Sequence, residues 1–341
     1  MRRFSTPLAA LLLLPLLLAA CTTEQATVGP QVPQKVTVGY IPILIDAPLY
    51  VGIERGYFRD AGLDINLQAL AGGTDIIAQT ASGNFDVGLG GLGASTFNAI
   101  AKKAGIKVVA PLHSETPPVV TPLVVSKRAF DSGQIRTVSD LRGKKVSINA
   151  AGSATEYWLS RALAKGNLTL KDVDVQYVQF ADVPAALENG AIAAAMIAEP
   201  VATQARDKGQ IAVLSDDFVS NFYATILLYN GKFADERKDT AQRFMEAYLR
   251  ACRDLQGDAI KTDAVAQIIE KYTKVPADTI KRANAPIFNP NGRFNIDDLD
   301  TMQKFYQERG GLTYQTPLNL RQEIDTTFAE AAVKKLGEYR K

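Results

Sequence analysis

Residues 80–91 read TASGNFDVGLGG, and residues 186–200 read ALENGAIAAAMIAEP. In both, a short helical stretch ends at a glycine, Gly83 or Gly190, directly before an apolar run short enough to be a buried strand. The same order of elements surrounds each phrase. Ahead of the first lie a strand at Val36, Val38 and Tyr40, a helix over residues 48–58 and a strand alternating at Leu63, Ile65 and Leu67; behind it come a helix over 94–103 and a strand over 107–112. Ahead of the second lie KKVSIN (144–149), ATEYWLSRALAKG (154–166) and VDVQYVQF (173–180); behind it come EPVATQARDKG (199–209) and QIAVLS (210–215). Strands and helices alternating at this spacing predict parallel strands with right-handed crossovers. Each half is therefore an open, mostly parallel α/β lobe flanked by helices. Two apolar, β-rich segments, 119–126 (VVTPLVVS) and 223–229 (YATILLY), stand where the chain leaves and re-enters the first lobe, and they predict two crossover strands that act as a hinge. Lobe I is then residues 35–122 and 223–341, and lobe II residues 123–222. Helices of the C-terminal third pack outside the lobes, as in AQRFMEAYLRACRDLQ (241–256), whose apolar face makes Cys252 a buried core thiol.

The chain ahead of this repeat has another character. Arg2 and Arg3 precede thirteen residues, 8–20, that are all Leu, Ala or Pro. That run is shorter than the ~20 apolar residues of a bilayer span and fits a signal segment, residues 1–20. It ends in Leu18-Ala19-Ala20-Cys21, which resembles the bacterial lipobox; the resemblance implies lipidation at Cys21. Residues 21–34 are polar with Pro and Gly and read as a flexible tether from membrane to body.

Composition narrows the function. The chain has 341 residues, 47% of them apolar, and its formal charge of +2 falls to zero once Arg2 and Arg3 are set aside. A neutral body without a basic stripe is poorly suited to nucleic acid, whose phosphates must be neutralised. Two cysteines and one histidine, His113, cannot build a His- or Cys-rich metal site. No GxSxG nucleophile elbow occurs, and no metal, cofactor or catalytic residue is assigned.

Open parallel sheets hold ligands beyond the carboxyl ends of their strands, so two facing lobes bury a small molecule between them. The loops at those ends carry a family resemblance. GYIP (39–42), PLYVGIERGYFRDAGLDINL (48–67), ASGNFDVGLGG (81–91), Ala151-Gly152-Ser153 and GAIAAAMIAEP (190–200) resemble the solute-binding proteins of bacterial ABC importers, in the subgroup for sulfonates, taurine, nitrate and thiamine-pyrimidine precursors. The resemblance implies a two-lobed type II periplasmic-binding-protein fold and a monomeric body. It further implies a place in the cell envelope outside the cytoplasmic membrane, and delivery of ligand to a membrane permease and its ATPase. A secreted enzyme using cleft carboxylates is the alternative from another class.

The candidate ligand-binding residues follow from the same loops. Tyr40, Asp46 and Tyr50 sit at the first strand-to-helix turn, with packing as the competing role for Tyr50. Thr74, Gly91 and Ser95 lie in the next two loops. Ser153, Thr155 and Glu156 open a lobe II helix, where Ser153 with Glu156 also spells a capping box. Trp158 lies one turn further in, as core or as a stacking wall. Glu199 stands at a strand end before Pro200, and His113 is either a hinge-side hydrogen-bonder or a contact. The loops hold Asp46, Asp75, Glu156, Asp182 and Glu199 with several aromatics but no Lys or Arg, which favours a neutral or amino-bearing planar heterocycle. A vitamin-type ligand, a thiamine pyrimidine precursor or a flavin, is the expectation; sulfonate or nitrate is the alternative.

Overall fold

The computed structural model describes Met1 and residues 32–340. The signal segment, Cys21 and the tether up to residue 31 lie outside the described residues. Residues from Pro33 onward form one compact body. No described helix is long and apolar enough to cross a membrane.

The described residues form twelve strands in chain order: β1 (Gln34–Tyr40), β2 (Leu63–Ala69), β3 (Val87–Gly91), β4 (Ile106–Pro111), β5 (Ser114–Glu115), β6 (Leu123–Ser126), β7 (Lys145–Ile148), β8 (Asp174–Tyr177), β9 (Ala194–Met196), β10 (Ile211–Ser215), β11 (Phe222–Tyr223) and β12 (Thr225–Asn230). Among the described residues they make two five-stranded sheets, β2-β1-β3-β12-β4 and β10-β6-β9-β7-β8, and a two-stranded ladder of β5 with β11. Each sheet has a parallel triplet, with β1 flanked by β2 and β3, and β7 flanked by β8 and β9. Each is completed by one antiparallel strand: β12 between β3 and β4, and β6 between β9 and β10. The repeat in sequence is thus a repeat in topology, and the fold is two-lobed α/β with helices on the sheets.

The antiparallel strands are the segments expected to cross. They lie within the sheets because each is the first strand after a crossing and enters its lobe travelling against its neighbours. The crossings proper are the stretches ahead of them, residues 112–122 and 216–224, and the β5–β11 ladder ties one to the other.

Burial follows the patterns of the strands. Val36 and Val38 are wholly buried while Gln34 and Lys35 at the start of β1 are exposed. Cys252 is buried in the lobe I core, where desolvation pushes its thiol pKa up. A second apolar cluster spans both lobes, with Phe97, Val108 and Ile226 from one side, Leu123, Val146 and Trp158 from the other, and Met302 and Tyr306 of helix Ile296–Glu308 joining them. Burying side chains of this size contributes about 1.5–3 kcal/mol each. Helix Ile296–Glu308 is therefore shared, packing on lobe II as well as lobe I: Phe305 meets Tyr157 edge-on at 5.1 Å, and Tyr306 lies 6.3 Å from Phe97.

Candidate functional site

The carboxyl ends of β1, β3, β7 and β9 face one another, and the loops beyond them are in contact. Thr74 Oγ1 donates to the Ala151 carbonyl at 3.0 Å and Ser95 Oγ to the Gly152 carbonyl at 3.3 Å. The Leu44 N–H donates to the Glu199 carbonyl at 2.9 Å, and the Tyr306 hydroxyl to that of Ser153 at 2.6 Å. An ion pair of 2.8 Å joins Arg309 to Glu156. The closest approach is between backbones: a Cβ on Gly93 would lie 1.9 Å from the Gly152 oxygen.

This closed arrangement leaves a cavity of about 50 Å³ between the lobes. Ile41, Ile43, Gly91 and Thr225 line it from lobe I; Asn149, Ser153, Thr155 and Trp158 line it from lobe II. A recess of about 250 Å³ adjoins it, where Ile41 and Leu70 face Gln179 and Phe180. Among the described residues no Asp, Glu, Lys or Arg side chain lines the cavity. Its polar character comes from hydroxyls, one amide and the His113 imidazole.

The polar face belongs to lobe II. Asn149 ends the strand segment KKVSIN, and its Oδ1 accepts from the Thr155 hydroxyl at 2.6 Å. Ser153 Oγ donates to the Ala150 carbonyl at 2.7 Å and lies 2.7 Å from Thr155 Oγ1 and 3.1 Å from Asn149 Oδ1. Helix Ala154–Ala164 consequently starts without a side-chain cap from Ser153. The capping box does not form, because Ser153 turns back into its loop and Glu156 turns out to Arg309.

Of the residues singled out from sequence, Gly91, Ser153, Thr155 and Trp158 meet at the cavity, and Thr74 and Ser95 bridge the lobes beside it. Tyr40, Asp46 and Tyr50 stand behind the wall. The Tyr50 hydroxyl donates to the Ile41 and Ile43 carbonyls, both at 3.2 Å, while its ring stacks on Tyr272 at 4.5 Å and meets Tyr40 edge-on. Asp46 Oδ2 accepts the Ile41 N–H at 3.2 Å, and burial pushes its carboxyl pKa well above the usual range. Together they fix loop 41–45 from beneath. Glu199 directs its carboxylate into its own helix, accepting from Thr203 N–H and Thr203 Oγ1, both at 2.9 Å, and its pKa is raised by burial. Asp75 and Asp182 are exposed. The acidic lining expected from sequence is thus absent from the cavity itself, since each carboxylate is engaged by protein or faces outward.

Asn149, Thr121 and Thr225 line the cavity without having been singled out. Asn149 had a signal, being the polar residue that closes an apolar strand at its carboxyl end. Thr121 and Thr225 lie at the crossings, where sequence shows only apolar continuity.

The family model described as "NMT1/THI5 like" matches residues 46–258. The riboflavin-binding protein RibY of Chloroflexus aurantiacus is 24% identical over 264 residues, covering 71% of this chain and 72% of that protein. Among solved structures, the alkanesulfonate-binding protein SsuA from Xanthomonas axonopodis pv. citri bound to MOPS superposes with a TM-score of 0.69 at 19% identity, covering 83% of this chain and 96% of that one. The desulfurization enzyme DSZB superposes with a TM-score of 0.64 at 18% identity, covering 89% and 99%. These likenesses carry the fold, and the fold hosts both binding and catalysis.

Proposed function

The chain belongs to the NMT1/THI5-like family, and from that premise we propose that it is the extracytoplasmic solute-binding component of an ABC importer. It captures a small organic molecule between its lobes and delivers it to a permease and ATPase. The observation that supports this reading is the uncharged cavity enclosed by the strand ends of both lobes. Enclosure by apolar walls with a few fixed polar groups is what ligand capture requires. At about 50 Å³ the cavity is smaller than such a solute, so the lobes must part to admit it and close less tightly around it. Residues 35–122 with 223–341 and residues 123–222 are the moving bodies, and the two crossings are the hinge.

The ligand favoured is a planar, vitamin-type heterocycle, a thiamine pyrimidine precursor or a flavin. Trp158 and Phe180 supply flat apolar surface, and Asn149, Ser153 and Thr155 supply neutral hydrogen-bonding groups; the riboflavin-binding relative agrees with it. A second reading rests on helices Gly73–Ser82 and Ala154–Ala164. Both begin at the cavity without a side-chain cap, and helix N-termini attract anionic heads such as sulfonate. Mass spectrometry of whatever co-purifies with the full chain, followed by calorimetric titration with riboflavin, the thiamine pyrimidine and taurine, separates these. Tight taurine binding with no response to heterocycles would refute the first reading.

Anchoring through a lipid at Cys21, outside the cytoplasmic membrane, belongs to the same proposal. Labelled palmitate is expected to enter the intact chain and not Cys21→Ser; equal incorporation would remove the anchor.

A further inference from the structure

His113 is the only histidine in the chain, is buried and lines the cavity. Its Nδ1 lies 2.7 Å from Thr225 Oγ1, and its backbone N–H donates to the same oxygen at 3.3 Å. Its Nε2 lies 3.4 Å from Glu115 Oε1, and Glu115 Oε2 accepts the Val120 N–H at 2.7 Å. Neither His113 Nε2 nor Glu115 Oε1 has a hydrogen-bond partner among the described residues. Three points of the chain meet here. His113 and Glu115 lie in the first crossing, Val120 at its far end before β6, and Thr225 opens β12 after the second crossing.

Both contacts of the ring lead to the same proton position. A carboxylate only accepts, so an unprotonated Nε2 would turn its lone pair on oxygen lone pairs, whereas an Nε2–H is attracted to them. The Thr225 hydroxyl has one proton, and it donates across 2.7 Å to Nδ1 in preference to the His113 carbonyl at 3.5 Å, which makes Nδ1 the acceptor. Which ring nitrogen bears the proton is set by such partners.

We propose that Thr225, His113 and Glu115 form a relay that holds His113 as the neutral Nε2–H tautomer, with Glu115 as the positioning residue. Nδ1 is then taken up by Thr225, and the Nε2–H faces Glu115 Oε1 across 3.4 Å. His113 becomes a specificity-determining wall residue that offers the cleft no free acceptor and turns its donor toward Glu115. Polar recognition falls to Asn149, Ser153 and Thr155 on the opposite lobe. The ligand class that follows has its hydrogen-bonding groups at one end and an apolar body against His113, Ile41 and Ile43. This last step rests on small-molecule capture; the tautomer does not.

A single imidazole makes the test direct. The full chain, labelled with 15N-histidine, is read by long-range 1H–15N correlation at neutral pH with no compound added. The wild type is expected to show one neutral Nε2–H pattern, and Thr225→Ser, which keeps the hydroxyl, the same pattern. Glu115→Gln places an amide that donates opposite Nε2, so a substantial Nδ1–H population is expected to appear. A wild-type ring found as Nδ1–H, as imidazolium or as an averaged mixture overturns the relay. So does a folded Glu115→Gln chain with the wild-type pattern. If Glu115→Gln fails to fold, the wild-type and Thr225→Ser spectra still decide. Because no ligand enters the measurement, failure of the relay and failure of solute capture are read separately.

Discussion

Asp46 holds a carboxylate where water does not reach, with one oxygen on the Ile41 N–H and the other, Oδ1, buried without a hydrogen-bond partner among the described residues. Desolvation raises its folded-state pKa well above the ordinary value of 3.8. Below the unfolded pKa both states are protonated and the burial of charge costs nothing. As pH rises through the folded pKa the folded state must ionise a dry group, and stability falls. Asp46→Asn keeps an oxygen for Ile41 and removes the charge. It is expected to melt higher than the wild type at pH 8, by the equivalent of about 1 kcal/mol or more, with the gap closing as pH is lowered; thermal melts across pH check this, and a lower melting temperature at pH 8 would count against it. The same residue marks where sequence reading stops. That Asp46 lies at a strand-to-helix turn beside the cleft is legible; that its charge points down into packing against Tyr40 and Tyr50 depends on side-chain direction, which one sequence does not display.

At the level of elements, the parallel triplets are legible because alternation and turn glycines are local signals, present at β1, β2 and β3 and again at β7, β8 and β9. The direction of β6 and β12 is not. LVVS and TILLYN are buried throughout and apolar in their middles, and such a run reads the same in a parallel or an antiparallel neighbourhood. The start of helix Ala154–Ala164 fails for a different reason. Ser153 and Glu156 satisfy the local rule for a capping box, but Arg309 lies 153 residues away in sequence and competes for the carboxylate. The three hydroxyl and amide groups of Asn149, Ser153 and Thr155 bond to one another instead, a local network that composition does not announce. Gly91 and Gly93 are legible as loop glycines, yet the reason for them is the backbone of the other lobe.

Closure is a property of the whole molecule, and Gly93 tests it. Its backbone is extended, φ −138°, so alanine fits its conformation. The obstacle is the 1.9 Å between the added Cβ and the Gly152 oxygen across the cleft. Gly93→Ala is therefore expected to fold and melt like the wild type while its lobes stand apart. Small-angle scattering should give a larger radius of gyration than the wild type when both are saturated with the co-purifying compound, and identical radii would contradict the packing described. Two crossings and the shared helix Ile296–Glu308 connect the lobes, so opening must slide Tyr306 or carry it along with one of them. The inserted strands bear on how the molecule is made. All five strands of the second sheet lie between residues 123 and 215, whereas the first sheet lacks β12 until residue 230. As the polypeptide emerges from the ribosome or from an export channel, the half encoded in the middle is the first whose ladder can be complete. The half encoded at the front must wait, its β3 and β4 unzipped, for a segment made after its neighbour is finished.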